Sequence, residues 1–383
     1  MNALRFVRLP EGVDLRLLLA AAAIASLGLV MVASSSADQA AQNLGDPLYY
    51  ARRHLVYLAI AAAVAWLALQ VPLATWRRAA PLFVAGTLAA LLAVLLVGRE
   101  VNGARRWLVL GPFNLQVAEL AKVAVVVHLA AWLAAHPGLA ARHWRSVVRP
   151  LAPVAAMGVL LLAQPDFGST VVIAATAAGL LFLGGLPLRV FAGFLALGAA
   201  ALAALAWSSP YRLERLVSFL DPWADQFDSG YQLVQSLIAF GRGGWLGVGL
   251  GNGVQKLFYL PEAHTDFVMA VVAEELGLLG VVAVVGLFGL LVGRVFAIAG
   301  RAVRRQDWFA AHLAHGVGIL IAGQAFINLG VTAGLLPTKG LTLPLVSYGG
   351  SSLLATALLL ALAARVGIEM DERHWAPGRS AGG

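Results

Sequence analysis

Ten apolar stretches, each near the ~20 residues a helix needs to cross the hydrocarbon core of a bilayer, dominate this chain of 383 residues. Four open it, from Arg16 to Ser35, His54 to Val71, Ala79 to Val97 and Gln116 to Ala135. Three shorter ones follow, Val148 to Ala163, Gly168 to Gly185 and Arg189 to Trp207; three more close it, Asp266 to Val295, Trp308 to Leu335 and Pro344 to Val366. Charges, glycines and prolines mark them off. The short central runs lie almost end to end, so eight or nine spans also fit the pattern. With 60% hydrophobic and only 12% charged residues, the chain has more apolar surface than a water-soluble shell can cover. The expected fold is all-α: a polytopic integral membrane protein with about ten transmembrane helices.

Orientation follows from the basic residues. With both termini cytoplasmic, the inner segments carry sixteen Lys and Arg, among them Arg5, Arg8, Arg77, Arg78, Arg301, Arg304 and Arg305, and the outer segments carry ten. This places residues 1–15 and the tail 367–383 in the cytoplasm. It also makes 208–265 a large extracytoplasmic loop between the seventh and eighth helices. The net charge of +8 is thereby topological, and a nucleic-acid partner is not needed to explain it. The first span exceeds the ~7–15 apolar residues of a signal-peptide core, so it is read as retained. No repeat period stands out, and residues 1–383 read as a single transmembrane domain. The absence of Cys excludes disulfides, thiolate metal sites and thiol catalysis.

Ionisable groups inside hydrocarbon cost roughly 2.5–3.5 kcal/mol each on insertion scales, so they mark functional or paired structural sites. Glu119 and Lys122, three residues apart, share a helix face; a self-neutralising pair and a site role both fit. Glu274 lies about 80° around the eighth helix from Asp266, and Glu275 nearly opposite, so bonding to neighbouring helices suits them better than chemistry. Asp266 sits where the outer loop meets the eighth span. There a carboxylate can act as general base or cap the helix, and spacing alone favours the cap.

The outer loop is rich in polar and aromatic residues. Its glycine run from Gly241 to Gly253 is no Rossmann loop, although its amides could hold an anionic head group. Lys339 could serve as a point charge for phosphate, while Ser347 to Ser352 reads first as close helix packing. The histidines form no metal-ligand cluster; His312 and His315 share a face without a carboxylate companion.

Several motifs in order resemble the SEDS family of bacterial cell-wall polymerases. They are Asn102-Gly103-Ala104-Arg105-Arg106-Trp107, Gln116 through Lys122, Gln164-Pro165-Asp166-Phe167-Gly168-Ser169, Leu260 through Phe267, and Pro337 through Ser352. Val30 to Ser36, Ala239 to Gly243 and Val254-Gln255-Lys256 are similar to the division branch of the family rather than the elongation branch. The resemblance implies a glycosyltransferase of the bacterial inner membrane that polymerises lipid II into glycan strands at the division septum, with inversion, the growing chain on undecaprenyl diphosphate being the donor. It also implies a class B penicillin-binding protein as transpeptidase partner, alongside other divisome proteins.

Asp266 stands where the family's essential aspartate stands, which overrides the capping preference. Glu119 and Lys122 match polar positions of the family's cavity, and Lys339 falls in its Pro-Thr-Lys-Gly motif. Candidates for the diphosphate and substrate are Arg105, Arg106, Lys122, Arg212, Arg215, Arg242 and Lys339, together with Glu119, His264 and Ser347. No metal cage is built in; a divalent cation, Mg²⁺ or Mn²⁺, would be held jointly with substrate diphosphate. Two rival readings stand beside this one: a flippase for the lipid-linked precursor, using the intramembrane charges as a conduit, and a non-catalytic scaffold that recruits a transpeptidase.

Overall fold

The computed structural model describes residues 12–101, 103–111, 113–138, 144–207, 218–338 and 340–375. All ten apolar runs fold as helices. In chain order they are α1 (Leu15–Leu44), α2 (Tyr49–Gln70), α3 (Leu73–Val97), α4 (Val117–Ala135) and α5 (Val148–Ala163). After these come α6 (Phe167–Leu183), α7 (Leu188–Trp207), a loop helix α8 (Tyr231–Gly243), α9 (Val268–Arg304), α10 (Trp308–Thr332) and α11 (Gly350–Trp375). Among the described residues, eight helices are long and apolar enough to cross a membrane, and α6 and α7 supply shorter apolar stretches. The protein is a multi-pass membrane protein.

Side-chain caps fix several helix starts. Asp14 accepts from Leu17 N ahead of α1, Asp166 from Ser169 N ahead of α6, and Asp307 from Ala310 N ahead of α10. The last helix begins at Gly350, later than Pro344, because residues 343–347 form a turn in which Ser347 N donates to Leu343 O. Helix α9 is broken at Gly277, whose φ of 66° and ψ of −163° suit only glycine.

The helical fold carries one small addition. Between α3 and α4 the chain forms a three-stranded antiparallel sheet of β1 (Arg99–Val101), β2 (Ala104–Leu110) and β3 (Phe113–Gln116). Val101 pairs with Ala104, so only Asn102-Gly103 connects the first two strands, a two-residue connection of the type Asn-Gly favours.

Helices α4, α10 and α11 are central and mostly buried, whereas α3, α5 and α7 turn apolar side chains outward, as lipid contact requires. At the end of the bundle where α1 starts, Asp14 pairs with Arg294 and Arg301, Arg301 also with Asp371, and Arg305 donates to the Met370 carbonyl. These contacts join the starts of the bundle to the ends of α9 and α11.

Candidate active site at the outer rim

Asp266 lies two residues before α9, half-buried at the outer end of the bundle. A tight turn places it. The Glu262 backbone adopts a left-handed φ of 57°, and its carbonyl accepts from Thr265, Asp266 and Phe267 N–H at 3.1, 3.2 and 3.3 Å. Asn328 of α10 then donates through Nδ2 to the carbonyls of Asp266 (2.9 Å) and Leu341 (2.6 Å). The Pro-Thr-Lys-Gly segment is thus tied beside the turn. A Cβ at Gly340 would lie 2.8 Å from Asp266 Oδ2, so a larger residue there would displace the carboxylate. The helix-capping reading fails: Phe267 holds the cap position of α9, without a side-chain cap bond.

The surroundings set the basicity of this carboxyl group. Burial, chiefly, pushes Asp266 up to about 7, the negative charges of Glu262 and Asp166 add to the rise, and Arg106 opposes it. Arg106, on β2, is held by donating from Nε to Gln164 O at 3.2 Å and from Nη2 to Pro165 O. Gln164 in turn donates to Leu91 O at 2.9 Å. The sheet therefore braces the start of α6, where Asp166 caps with Oδ1 while its buried Oδ2 has no hydrogen-bond partner among the described residues.

Aromatic rings wall the same region. Tyr348 N donates to His264 O at 3.0 Å, and the His264 ring packs 4.8 Å from Tyr50 and 5.6 Å from Tyr348. Tyr57 is 6.0 Å from Tyr348, and Arg53 joins it by donating to the hydroxyls of Tyr57 (2.8 Å) and Tyr49 (3.0 Å). Burial lowers the basicity of the His264 imidazole, which favours its neutral form beside Asp266.

Below this rim, Lys122 Nζ donates to Glu119 Oε1 at 2.7 Å and to Gln324 Oε1 at 3.0 Å. Gln324 donates to Thr342 O, and the Thr342 and Ser352 hydroxyls are 2.8 Å apart. The pair expected from spacing is thus wired toward the segment that carries Gly340. Ser347 is buried and accepts from Leu343 N at 2.8 Å, a bond internal to its own turn.

Other candidates fall elsewhere. Arg105 is exposed and pairs with Glu100 across β1 and β2 at 3.4 Å. Arg242 pairs with buried Glu274 at 3.3 Å, two turns below Asp266. Arg212, Arg215 and Lys339 lie outside the described residues. Just past the glycine run, backbone amides hold an anion that is a side chain of this protein. Val254 N and Gln255 N donate to Glu274 at 2.9 and 3.1 Å, and Lys256 Nζ reaches Glu275 at 2.8 Å beside Ser34. Val248 and Gly249 N–H also donate to the Glu274 and Glu275 carbonyls. As spacing suggested, Glu274 and Glu275 bond neighbouring segments.

With this geometry described, comparison with known proteins becomes specific. Residues 15–372 match the family described as cell cycle protein, which groups FtsW, RodA and SpoVE. The chain belongs to this family. It is 50% identical over 374 residues to the probable peptidoglycan glycosyltransferase FtsW of Halomonas elongata, covering 95% of this chain and 94% of that one. The protein of the same description from Halorhodospira halophila is 53% identical over 364 residues, covering 94% and 92%. Among solved structures, a chain of a peptidoglycan synthase complex that coordinates polymerization and crosslinking superposes with a TM-score of 0.77 at 34% identity, covering 94% of this chain and 98% of its own. The rod shape determining protein RodA of Thermus thermophilus gives 0.69 at 33% identity, covering 93% and 96%.

The cell cycle family assignment accounts for the order of the motifs; the coordinates add residues that the motifs did not single out. Glu262 and Asp166 sit inside quoted motifs and face Asp266 electrostatically. Asn328 and Gln324 are lone amides in an apolar run; treating buried amides like intramembrane charges would have flagged them. Tyr50 gave no such signal.

Proposed function

We infer that the chain is a peptidoglycan glycosyltransferase of the FtsW type, polymerising lipid II at the division septum of the bacterial inner membrane, with Asp266 as general base. One observation carries the reading. A half-buried carboxyl group, pushed up to about 7, stands at the outer rim with an arginine acting on it, in a chain about half identical over nearly its full length to proteins described as peptidoglycan glycosyltransferases.

In the reaction, Asp266 takes the proton of an acceptor sugar hydroxyl as that oxygen bonds to the anomeric carbon of the growing strand. The bond from that carbon to undecaprenyl diphosphate breaks, and Asp266 passes its proton to water. A base with this basicity is matched to near-neutral pH. Arg106 supplies positive charge for the departing diphosphate, with Arg212, Arg215 and Lys339 as further candidates. Among the described residues no three His, Asp or Glu side chains group to cage a metal. A divalent cation would be held jointly with substrate diphosphate and would neutralise its charge. A class B penicillin-binding protein is the crosslinking partner in this reading.

A flippase would need mobile mid-bilayer charges. Glu119 and Lys122 instead neutralise each other, and Glu274 and Glu275 are bonded to the outer loop. The deciding experiment is lipid II polymerisation by the purified protein, with a transpeptidase partner whose own active site is inactivated. Native protein makes glycan and Asp266→Asn makes none; full activity of Asp266→Asn removes Asp266 from the mechanism, and absence of polymer from the native pair supports a scaffold.

A further inference from the structure

The turn that carries Asp266 holds a second carboxylate in a fixed place. Glu262 Oε2 accepts from Thr265 Oγ1 at 2.8 Å, while the Glu262 carbonyl gathers the N–H groups of Thr265, Asp266 and Phe267. The left-handed φ of 57° at Glu262 is a conformation that strains a residue other than Gly or Asn. A glycine would relieve that strain, yet glutamate stands there and its carboxylate is held by the hydroxyl of Thr265, the residue next to Asp266.

We propose that Glu262 is a positioning residue for the transfer reaction: held by Thr265, it sets a negative charge beside Asp266 and so strengthens Asp266 as the base that accepts the sugar proton. The proposal rests on the reading of Asp266 given above. The groups that act on Asp266 come from three elements: Glu262 from its own turn, Arg106 from β2, and Asp166 from the start of α6; the neighbouring His264 ring packs on Tyr50 and Tyr348. Arg106 opposes Glu262, and Asp166 assists it. Lys339, next to Gly340, stays the same in every variant compared below. Glu262 itself is exposed, so it tunes the site from the water side and its replacement leaves the packed core intact.

The test compares native protein with Glu262→Gln, which keeps an acceptor for Thr265 but loses the charge, and Glu262→Asp, which keeps the charge. Two readouts are taken against pH: the rate of lipid II polymerisation, and labelling of Asp266 by a carbodiimide, which reacts with the protonated carboxyl group, quantified by mass spectrometry of the peptide. In Glu262→Gln the acid limb of the rate and the midpoint of Asp266 labelling both move to lower pH, by about half a unit for a screened like charge. The plateau rate falls about twofold. Glu262→Asp retains the native midpoint. An unmoved midpoint in Glu262→Gln overturns the proposal, as does an equal shift in both variants, which would mark a purely structural role. If the labelling midpoint moves while Asp266→Asn keeps full activity, the electrostatic coupling stands and the assignment of Asp266 as base is what fails.

Discussion

Lys122 Nζ lies 2.7 Å from Glu119 Oε1 inside the bundle, with both side chains almost wholly removed from solvent. Removing one partner of such a pair leaves an uncompensated buried charge, at a cost of about 3–5 kcal/mol, whereas replacing both is often near neutral. Lys122→Met is therefore expected to lower the unfolding temperature in detergent sharply. The double variant Glu119→Gln, Lys122→Met should recover most of that loss. A double variant as unstable as the single one would show that Gln324, and not charge balance, holds the site together.

Asp266 carries a stability cost alongside the role proposed for it. Its folded pKa, about 7, is raised above the ordinary value of 3.8. The folded state thus binds the proton more tightly, and stability falls as pH rises from about 4 through 7. At pH 8 that cost is at most about 4 kcal/mol. Asp266→Asn should be inactive in polymerisation yet melt at a higher temperature than native protein at pH 8, with the difference vanishing near pH 4. Equal melting at both pH values would show a carboxyl group of ordinary acidity.

Arg106 acts on Asp266 in the sense opposite to Asp166 and also anchors the sheet to the Gln164 and Pro165 carbonyls. Arg106→Gln should cut polymerisation about 10- to 100-fold and move the acid limb of the pH–rate profile upward. Loss of rate with no movement of that limb would confine Arg106 to the diphosphate.

Two glycines of the outer loop separate packing from backbone conformation. Gly247 and Gly251 both have positive φ, 78° and 83°, but a Cβ at Gly247 would sit 2.1 Å from the Glu275 carbonyl oxygen, whereas one at Gly251 meets nothing within 4 Å. Gly251→Ala should cost about 1 kcal/mol. Gly247→Ala should expel the loop from α9, seen as rapid proteolysis of the 244–257 segment.

Ser347→Ala tests whether its hydroxyl serves substrate or turn. The bond from Leu343 N predicts a loss of about 1 kcal/mol in stability with polymerisation kept within about twofold of native. A tenfold drop in rate at unchanged stability would return Ser347 to the substrate-facing set.

The spans were legible because hydrocarbon permits no other reading of a 20-residue apolar run, whereas helix ends drifted where polar residues carry a helix beyond its apolar run, as at Leu44 of α1, Tyr49 of α2 and Arg304 of α9, and where the turn after Pro344 delays α11. The sheet was missed although Asn102-Gly103 announced a hairpin, since three short strands leave little periodicity beside ten helical runs. Spacing alone points Asp266 the wrong way, toward the cap, because capping and catalysis ask for the same residue at the same boundary, and the cap position is held by Phe267. The partners of Glu274 and Glu275 were hidden for a different reason: they are backbone amides, Lys256 and Ser34, and a glycine-rich loop says nothing of where it will dock. Asp166 became visible as a neighbour of Asp266 only once α6 was folded against the sheet.

The groups that surround Asp266 arrive from β2, from the start of α6 and from the segment just ahead of α11. In a chain threaded into the bilayer from its N-terminus, the carboxylate emerges long before Gly340 and Asn328 can close around it. Until α10 and the segment ahead of α11 are in place the turn that carries Asp266 stands open, so on the proposed reading a protein whose synthesis stops early is inert.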